Sequence, residues 1–311
     1  MIDIGTNTLL LLVAEQCPGV SGRPGLRAIR EEQRFGRLGK GLDQTGVLDS
    51  GAIGRSLDIL REYRAIIDEL GVAAVRVVGT QALREARNAA DFVIPGETIL
   101  GVSIEVIAGE REALLVHRAV AEWFPDLAGE TYVIADVGGG STEVIVVSPA
   151  GLESFVSVPI GSVRLTERYL HADPPTTEQV TNLISGIDRA LAGLSLPQGA
   201  CLVGSAGTAT TIASVERRLR QYDPALVQGF SLPRHAVERQ LARYLELTLA
   251  ERRRLVGLEP ERADVIAAGV AIFTRLLDRL AAPRFIVNER GVRWGVAHEQ
   301  LEQSSDSAIN S

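Results

Sequence analysis

Apolar and polar residues follow one another along this chain in two alternating rhythms. Met1–Glu15, "MIDIGTNTLLLLVAE", reads as a short apolar strand, an Asp, a polar turn and a longer apolar strand. Val133–Ser148, "VIADVGGGSTEVIVVS", repeats that shape, with Asp136 standing where Asp3 stands in the first copy. Gly25–Phe35 continues the opening as a strand of mixed polarity, and Gly36–Asp49 is a loop dense in Gly and turn residues. Ile53, Leu57, Leu60, Ile66, Ile67 and Leu70 then recur at helical spacing, with Gly71 as the stop. Val72–Asn88 and Val102–Phe124 each read as strand, turn and helix.

The second half restarts at Tyr132, so residues 125–130 mark the expected boundary between domains 1–124 and 125–311. "GLESFVSVPIGSVRLTERYL" gives a strand and a helix, Thr176 or Thr177 caps a helix over Val180–Leu194, and Ala200–Leu219 is strand, Gly/Ser/Thr turn and helix. Residues 234–247 and 261–281 read as helices that offer either buried core or a homodimer face. "RFIVNERGVRWGVAHEQLEQ" is a last strand, turn and helix, the helix placed to pack back on the first domain, and "SSDSAINS" is a polar tail expected to fray. Strands alternating with helices give an α/β class, and the repeated opening implies two related halves with a ligand in the cleft between them.

Composition narrows the function. Of 311 residues, 46% are hydrophobic and 23% charged, the usual balance of a water-soluble domain protein, and no apolar run reaches membrane-spanning length. Cys17 and Cys201 are too few for a disulfide framework, which makes a reducing cytoplasm the expectation. His117, His171, His235 and His298 lie far apart without metal-ligand spacing. The net charge of −7 argues against nucleic acid as a partner. Lys40 is the single lysine, so a Gly-Lys-Ser/Thr phosphate loop is excluded.

The two turns carry the candidate chemistry. In "DVGGGSTE", Gly138, Gly139 and Gly140 let the backbone present successive N–H groups to an anion, and Ser141 and Thr142 add hydroxyls. Asp136 and Glu143 flank this cradle, and a carboxylate beside a phosphate calls for a hard cation between them. Mg²⁺ meets that demand, with Mn²⁺ as a substitute, because it takes one or two carboxylates together with phosphate oxygens and water. "DIGTNT" offers Asp3 and the turn Gly5, Thr6, Asn7 and Thr8, and "GSAGTAT" (Gly204–Thr210) supplies a third turn.

These turns together resemble the actin-like ATPase superfamily. Within it, "RLGKGLDQTGVL", "GTQALREARN", "EVIAGEREA", "PIGSVRLTERY", "ERRRLVGLEPERADVIAAGVAI" and "NERGVRWGV" follow in order over nearly the whole chain. The chain thereby resembles the exopolyphosphatase / guanosine pentaphosphate phosphohydrolase family, in its short two-domain form. The resemblance implies two ribonuclease-H-like domains enclosing a phosphate chain in an interdomain cleft, and Mg²⁺-assisted attack of water on the terminal phosphorus. Inorganic polyphosphate is the first expected substrate, guanosine pentaphosphate the second, and a non-hydrolysing sensor of either the third reading. The family's catalytic glutamate falls on Glu112, with Glu110 as its rival because Arg111 stands where the family often has Glu. Arg84 matches a phosphate-contacting arginine, Thr6 and Asn7 the first phosphate turn, Gly207 and Thr208 the third, and Arg164 a supporting position. Asp3, Asp136 and Glu143 are the implied metal ligands. Asp3 follows only Met1 and Ile2, so the opening strand is shorter than is usual in the family.

Overall fold

The structure, a computed structural model, describes residues 1–18 and 24–309. The chain divides into two compact units, Met1–Ala119 with Val292–Ser311, and Val120–Gly291. The division therefore falls earlier than 124/125, inside a helix, and the C-terminal helix is counted with the first unit.

In the first unit, β1 (Ile2–Ile4), β2 (Leu9–Pro18) and β3 (Pro24–Arg34) form an antiparallel meander. There follow α1 (Leu42–Thr45), α2 (Ser50–Glu69), β4 (Val77–Gly79), α3 (Gln81–Glu85), α4 (Ala90–Leu100), β5 (Ile104–Val106) and α5 (Gly109–Trp123). The sheet order is β3-β2-β1-β4-β5, with β4 parallel to β1 and to β5. Asp49 caps α2 by accepting from the Ala52 amide, and Gly71 follows its end at φ 60°. Ile59, Leu60, Tyr63 and Ile67 bury one face of α2 in the core of the unit, and the Tyr63 hydroxyl donates to the Leu9 carbonyl at 2.8 Å.

The second unit holds β6 (Tyr132–Val137), β7 (Thr142–Ser148), β8 (Gly151–Val158), α6 (Ser162–Tyr169), α7 (Thr177–Leu191), β9 (Cys201–Ser205) and α8 (Ala206–Glu216). Beyond them lie α9 (Pro224–Val227), β10 (Ser231–Pro233), α10 (Arg234–Glu246), α11 (Leu249–Arg252), α12 (Ile266–Leu280) and β11 (Arg284–Val287). Thr176 with Gln179 closes a capping box on α7. The final helix of the chain, α13 (Val292–Ile309), packs on β1, β2 and β3 of the first unit. It continues through most of the segment expected to fray, and residues 310–311 lie outside the described residues.

The sheet of the second unit runs β10-β11-β9-β6-β7-β8. Apart from the antiparallel edge strand β10, this is the order of the first sheet, so the repeat seen in sequence is a repeat of fold. It extends to detail. The β2–β3 ladder slips between Val13 and Ala14, and the β7–β8 ladder between Val146 and Val147, at the same distance along the chain from Asp3 and Asp136.

Every residue of β6 is buried, because parallel β9 and antiparallel β7 flank it and helices cover the sheet. α12 is buried over nearly its whole length, which makes it core of the second unit. Phe273 of α12 and Phe285 of β11 meet edge to face at 5.0 Å between ring centroids. Gly204 lies under both rings: a Cβ there would stand 2.4 Å from Phe285 and 3.0 Å from Phe273. Gly204→Ala is expected to cost about 1–3 kcal/mol through overpacking, read as a lower thermal midpoint by calorimetry. An unchanged midpoint would remove this account of the core.

Candidate active site

In the first unit Asp3 sits at the centre of β1, opposite Leu10 of β2 and Val78 of β4. The turn that follows is closed by the Gly5 amide donating to the Thr8 carbonyl at 2.9 Å. The outward carbonyls of this turn are held from the loop before α1. The Gly39 amide donates to Thr6 at 2.8 Å and the Arg37 amide to Asn7 at 3.0 Å. Gly39 must be glycine for this, since a Cβ there would stand 2.1 Å from Thr6 Cγ2. The Thr6 hydroxyl donates to Gln81 Oε1 of α3 at 2.8 Å. The amides of Thr6, Asn7 and Thr8 make no hydrogen bond among the described residues, which leaves three consecutive donors for an anion.

The second unit builds the same device differently. The Gly138 amide donates to the Ser141 carbonyl at 3.0 Å. The N-terminus of α6 then takes the glycine carbonyls. Ser162 N–H donates to Gly138 at 2.9 Å, while Val163 N–H and Arg164 N–H donate to Gly139 at 2.9 and 3.1 Å. Arg164 Nε donates to the Gly140 carbonyl at 2.9 Å, so Arg164 braces the turn. Gly161 allows this approach, because a Cβ there would fall 2.4 Å from the Gly139 carbonyl. The amides of Gly139, Gly140 and Ser141 are left without a backbone acceptor among the described residues. Thr142 is turned inward, its hydroxyl donating to the Ile160 carbonyl at 2.7 Å.

Asp136 and Glu143 face each other across the β6–β7 ladder, both buried, and Ser157 donates to Glu143 Oε1 at 2.7 Å. Like charges directly opposite in an antiparallel pair repel. At the corresponding place in the first unit, Asp3 faces the apolar Leu10. Asp3 Oδ1 is buried without a hydrogen-bond partner. Burial pushes the Asp3 carboxyl up to about 6, a shift that the Arg293 guanidinium of α13 opposes. Among the described residues no group of three or more His, Cys, Asp or Glu is arranged to hold a metal ion.

Glu112 lies in the first turn of α5 and is buried, whereas Glu110 is exposed. Arg84, at the end of α3, reaches Glu112 Oε2 with Nη1 at 3.4 Å and donates from the same nitrogen to the Ile107 carbonyl at 2.6 Å. Gln81, Arg84 and Glu112 thus extend the first turn into one polar surface of the first unit. Arg111 turns away from it: its guanidinium meets Glu299 of α13, which also takes Arg76 at 3.4 Å and Arg118 at 3.5 Å. The third turn opens α8, with Ala206 in the left-handed region at φ 66°. Gly207 lies beneath the Arg262 guanidinium, where a Cβ would meet Nη1 at 2.0 Å, and Arg262 is held by Glu259 at 3.0 Å. Thr208 is buried against the backbone of Gly269 in α12.

Two ribonuclease-H-like units, each with an amide-presenting turn after its first strand and a carboxylate just before it, define the actin-like ATPase class of fold. Within it the chain belongs to the Ppx/GppA phosphatase family, whose sequence pattern matches residues 13–304. Exopolyphosphatase 2 of Mycobacterium tuberculosis is 34% identical over 310 residues, covering 95% of this chain and 96% of that protein. The guanosine-5'-triphosphate,3'-diphosphate pyrophosphatase of Vibrio cholerae is 28% identical, over 97% of this chain but 59% of its own length. A solved Ppx/GppA family member from Aquifex aeolicus matches with a TM-score of 0.81 at 32% identity, covering 97% of each chain. Among the described residues no helix is long and apolar enough to cross a membrane.

Gly161→Ala is expected to lower phosphate release at least tenfold by prising α6 from the second turn. Gly54→Ala, with no atom within 4 Å of its added methyl, is the control and should leave release unchanged. Equal activity in the two variants would detach the turn from function. For Asp3 the sign of the pH effect is fixed by a folded pKa of about 6 above the ordinary 3.8. The folded state holds the proton more tightly, so the wild type loses stability as pH rises from about 4 to 6. Asp3→Asn should therefore be more stable than wild type at pH 7 in EDTA, by on the order of 3 kcal/mol, with the gap shrinking as pH falls towards 4. Thermal melts across that range check it, and a gap independent of pH would refute the assignment.

Proposed function

We propose that this chain is an exopolyphosphatase, hydrolysing the terminal phosphoanhydride of inorganic polyphosphate and releasing orthophosphate. As a Ppx/GppA phosphatase it is a phosphoanhydride hydrolase, and its relatives are named for polyphosphate and for guanosine pentaphosphate. One observation carries the reading: both Gly turns keep three successive amides unspent while their carbonyls are tied from behind. That is a device for phosphate oxygens, and it lies beside carboxylates in both units.

The donor set fits a hard divalent cation. Asp136 and Glu143 are two buried carboxylates at facing positions of β6 and β7, the number such a cation takes beside phosphate oxygens and water, and Asp3 has a buried oxygen without a hydrogen-bond partner. In the second unit Asp136 and Glu143 would hold Mg²⁺, or Mn²⁺ on the same donors, which would supply charge neutralisation at phosphate oxygens; in the first unit Asp3 is the carboxylate that would take a water of such an ion. The remaining chemistry belongs to the chain. In the first unit the amides of Thr6–Thr8, with Arg84, orient phosphate oxygens and stabilise charge on them, and in the second unit the amides of Gly139–Ser141 offer the same kind of donors. Glu112, rather than the exposed Glu110, accepts the proton of the attacking water. The water oxygen bonds to the terminal phosphorus, and the bridging oxygen leaves with the shortened chain.

The test is orthophosphate release from polyphosphate and from guanosine pentaphosphate under identical conditions, with and without EDTA. Faster release from polyphosphate, abolished by EDTA and restored by Mg²⁺, is expected. Glu112→Gln should cut turnover by roughly 10²–10⁴ while polyphosphate still binds. Faster release from guanosine pentaphosphate would move the assignment to that substrate, and binding without release by the wild type would replace the hydrolase by a sensor.

A further inference from the structure

In the first unit the part of α5 that carries Glu112 is backed by α13. Arg111, Leu115 and Arg118 recur at helical spacing along one side of α5, and Gly295, Glu299 and Glu302 do so along α13. The two rows meet. Gly295 lies so close to α5 that a Cβ there would stand 2.2 Å from the Leu115 carbonyl and 2.8 Å from Leu115 Cα. Arg111 pairs with Glu299, while Arg118 reaches Glu299 at 3.5 Å and pairs also with Glu302. The same Glu299 takes Arg76 at 3.4 Å, so one buried carboxylate faces three guanidiniums.

The three arginines are not equivalent. Arg76 has a further carboxylate in Glu105 at 3.2 Å and Arg118 has one in Glu302, whereas Glu299 is the one carboxylate that Arg111 meets among the described residues. Arg111 is also the neighbour of Glu112 in the chain. Successive residues of an α-helix point about 100° apart round its axis. Tying Arg111 to α13 therefore fixes the rotation of the first turn of α5, and with it the direction of Glu112, whose Oε2 meets Arg84 at 3.4 Å. Arg76 immediately precedes β4, the strand that leads through Thr80 to Gln81 and Arg84 of α3. Glu299 thus touches both elements that deliver Arg84 and Glu112 to the polar surface beside the first turn.

We propose that Glu299 is a positioning residue for the hydrolysis, acting through Arg111 to hold Glu112 at the angle from which it serves the attacking water. The proposal rests on the reading of Glu112 as the base that accepts the proton of that water. A buried carboxylate among guanidiniums stabilises a fold no better than well-packed apolar side chains of the same volume. What it adds here is direction, since removing it frees the first turn of α5 to rotate. A displacement of about 1 Å at a reacting group is enough to cost on the order of 10²-fold in rate. The amides of Thr6–Thr8 are set by Gly39, Arg37 and Gln81 and do not depend on α5. The loss of Glu299 therefore falls on kcat and leaves KM in place.

Orthophosphate release is measured on whichever of polyphosphate and guanosine pentaphosphate the wild type cleaves faster. Glu299→Gln and Arg111→Gln should each lower kcat roughly tenfold to a hundredfold, with KM within about twofold of wild type. Arg111 is only half-buried, so its variant keeps the test open if Glu299→Gln fails to fold. Glu299→Asp, which retains the charge, should recover most of kcat. In a Glu112→Gln background the further change Glu299→Gln should cost less than about twofold, because a positioning residue has nothing left to position. Arg118→Gln, two helical turns from Arg111, leaves the Arg111–Glu299 pair intact and is the structural control: a lower thermal midpoint with kcat unchanged is expected. An unchanged kcat in Glu299→Gln, a loss that persists undiminished in the Glu112→Gln background, or an equal loss in Arg118→Gln overturns the proposal and leaves the base standing. Full activity of Glu112→Gln, or no release by the wild type from either substrate, removes the base and this inference with it.

Discussion

A backbone amide can receive a phosphate oxygen only if the fold has not already spent it. A buried turn left with unsatisfied carbonyls, however, costs stability. Both turns of this protein resolve that conflict by splitting the peptide group: carbonyls are satisfied from behind and amides stay available. In the first unit the loop around Arg37 and Gly39 supplies the donors. In the second unit the start of α6 supplies them, and the side chain of Arg164 adds one more. Two unrelated elements thus perform one task, which is why Gly39 and Gly161, neither of them in the turns, are as sterically constrained as the turn residues themselves.

The carboxylates obey a second constraint. Asp3 and Asp136 hold the same place one residue before the end of their strands, yet their surroundings differ. Asp136 shares its place with Glu143 and a serine hydroxyl, whereas Asp3 is enclosed by apolar neighbours and tempered by the Arg293 guanidinium. Arg293 is itself paired with Glu31 at 2.6 Å, so α13 brings to the first unit both apolar cover and the charge that makes a buried Asp tolerable. The Arg111–Glu299 contact belongs to the same helix. It explains an arginine where the family pattern leads one to look for a glutamate: Arg111 faces α13, and Glu112 is the buried carboxylate of that turn.

Much of this was legible in the residues. The doubled strand–Asp–Gly pattern reports a doubled fold, because period-two apolar runs interrupted at matched places must make matched hairpins. The turns at Gly5–Thr8 and Gly138–Ser141 lie where their Gly, Asn and Ser content puts them. Other parts were not legible. Thr142 reads as a hydroxyl donor for a ligand and Thr208 as part of the third phosphate turn, but the Thr142 hydroxyl is bonded to Ile160 and Thr208 is packed on Gly269. A hydroxyl has the same sequence signature whichever way its strand or helix turns it. Gln81, Arg262 and Arg293 gave no local signal, since each acts on a residue far away in the chain.

Local chemistry in the sequence decided the α/β class, the repeat, the positions of the amide-presenting turns and the presence of a carboxylate beside each. These depend on the period of apolar residues and on glycine's freedom, both of which are properties of short segments. Tertiary structure alone decided which carbonyls are tied down, which of Glu110 and Glu112 is buried, and that Arg111 meets Glu299 of α13. Those depend on contacts between residues distant in the chain, and no short segment contains the information to fix them.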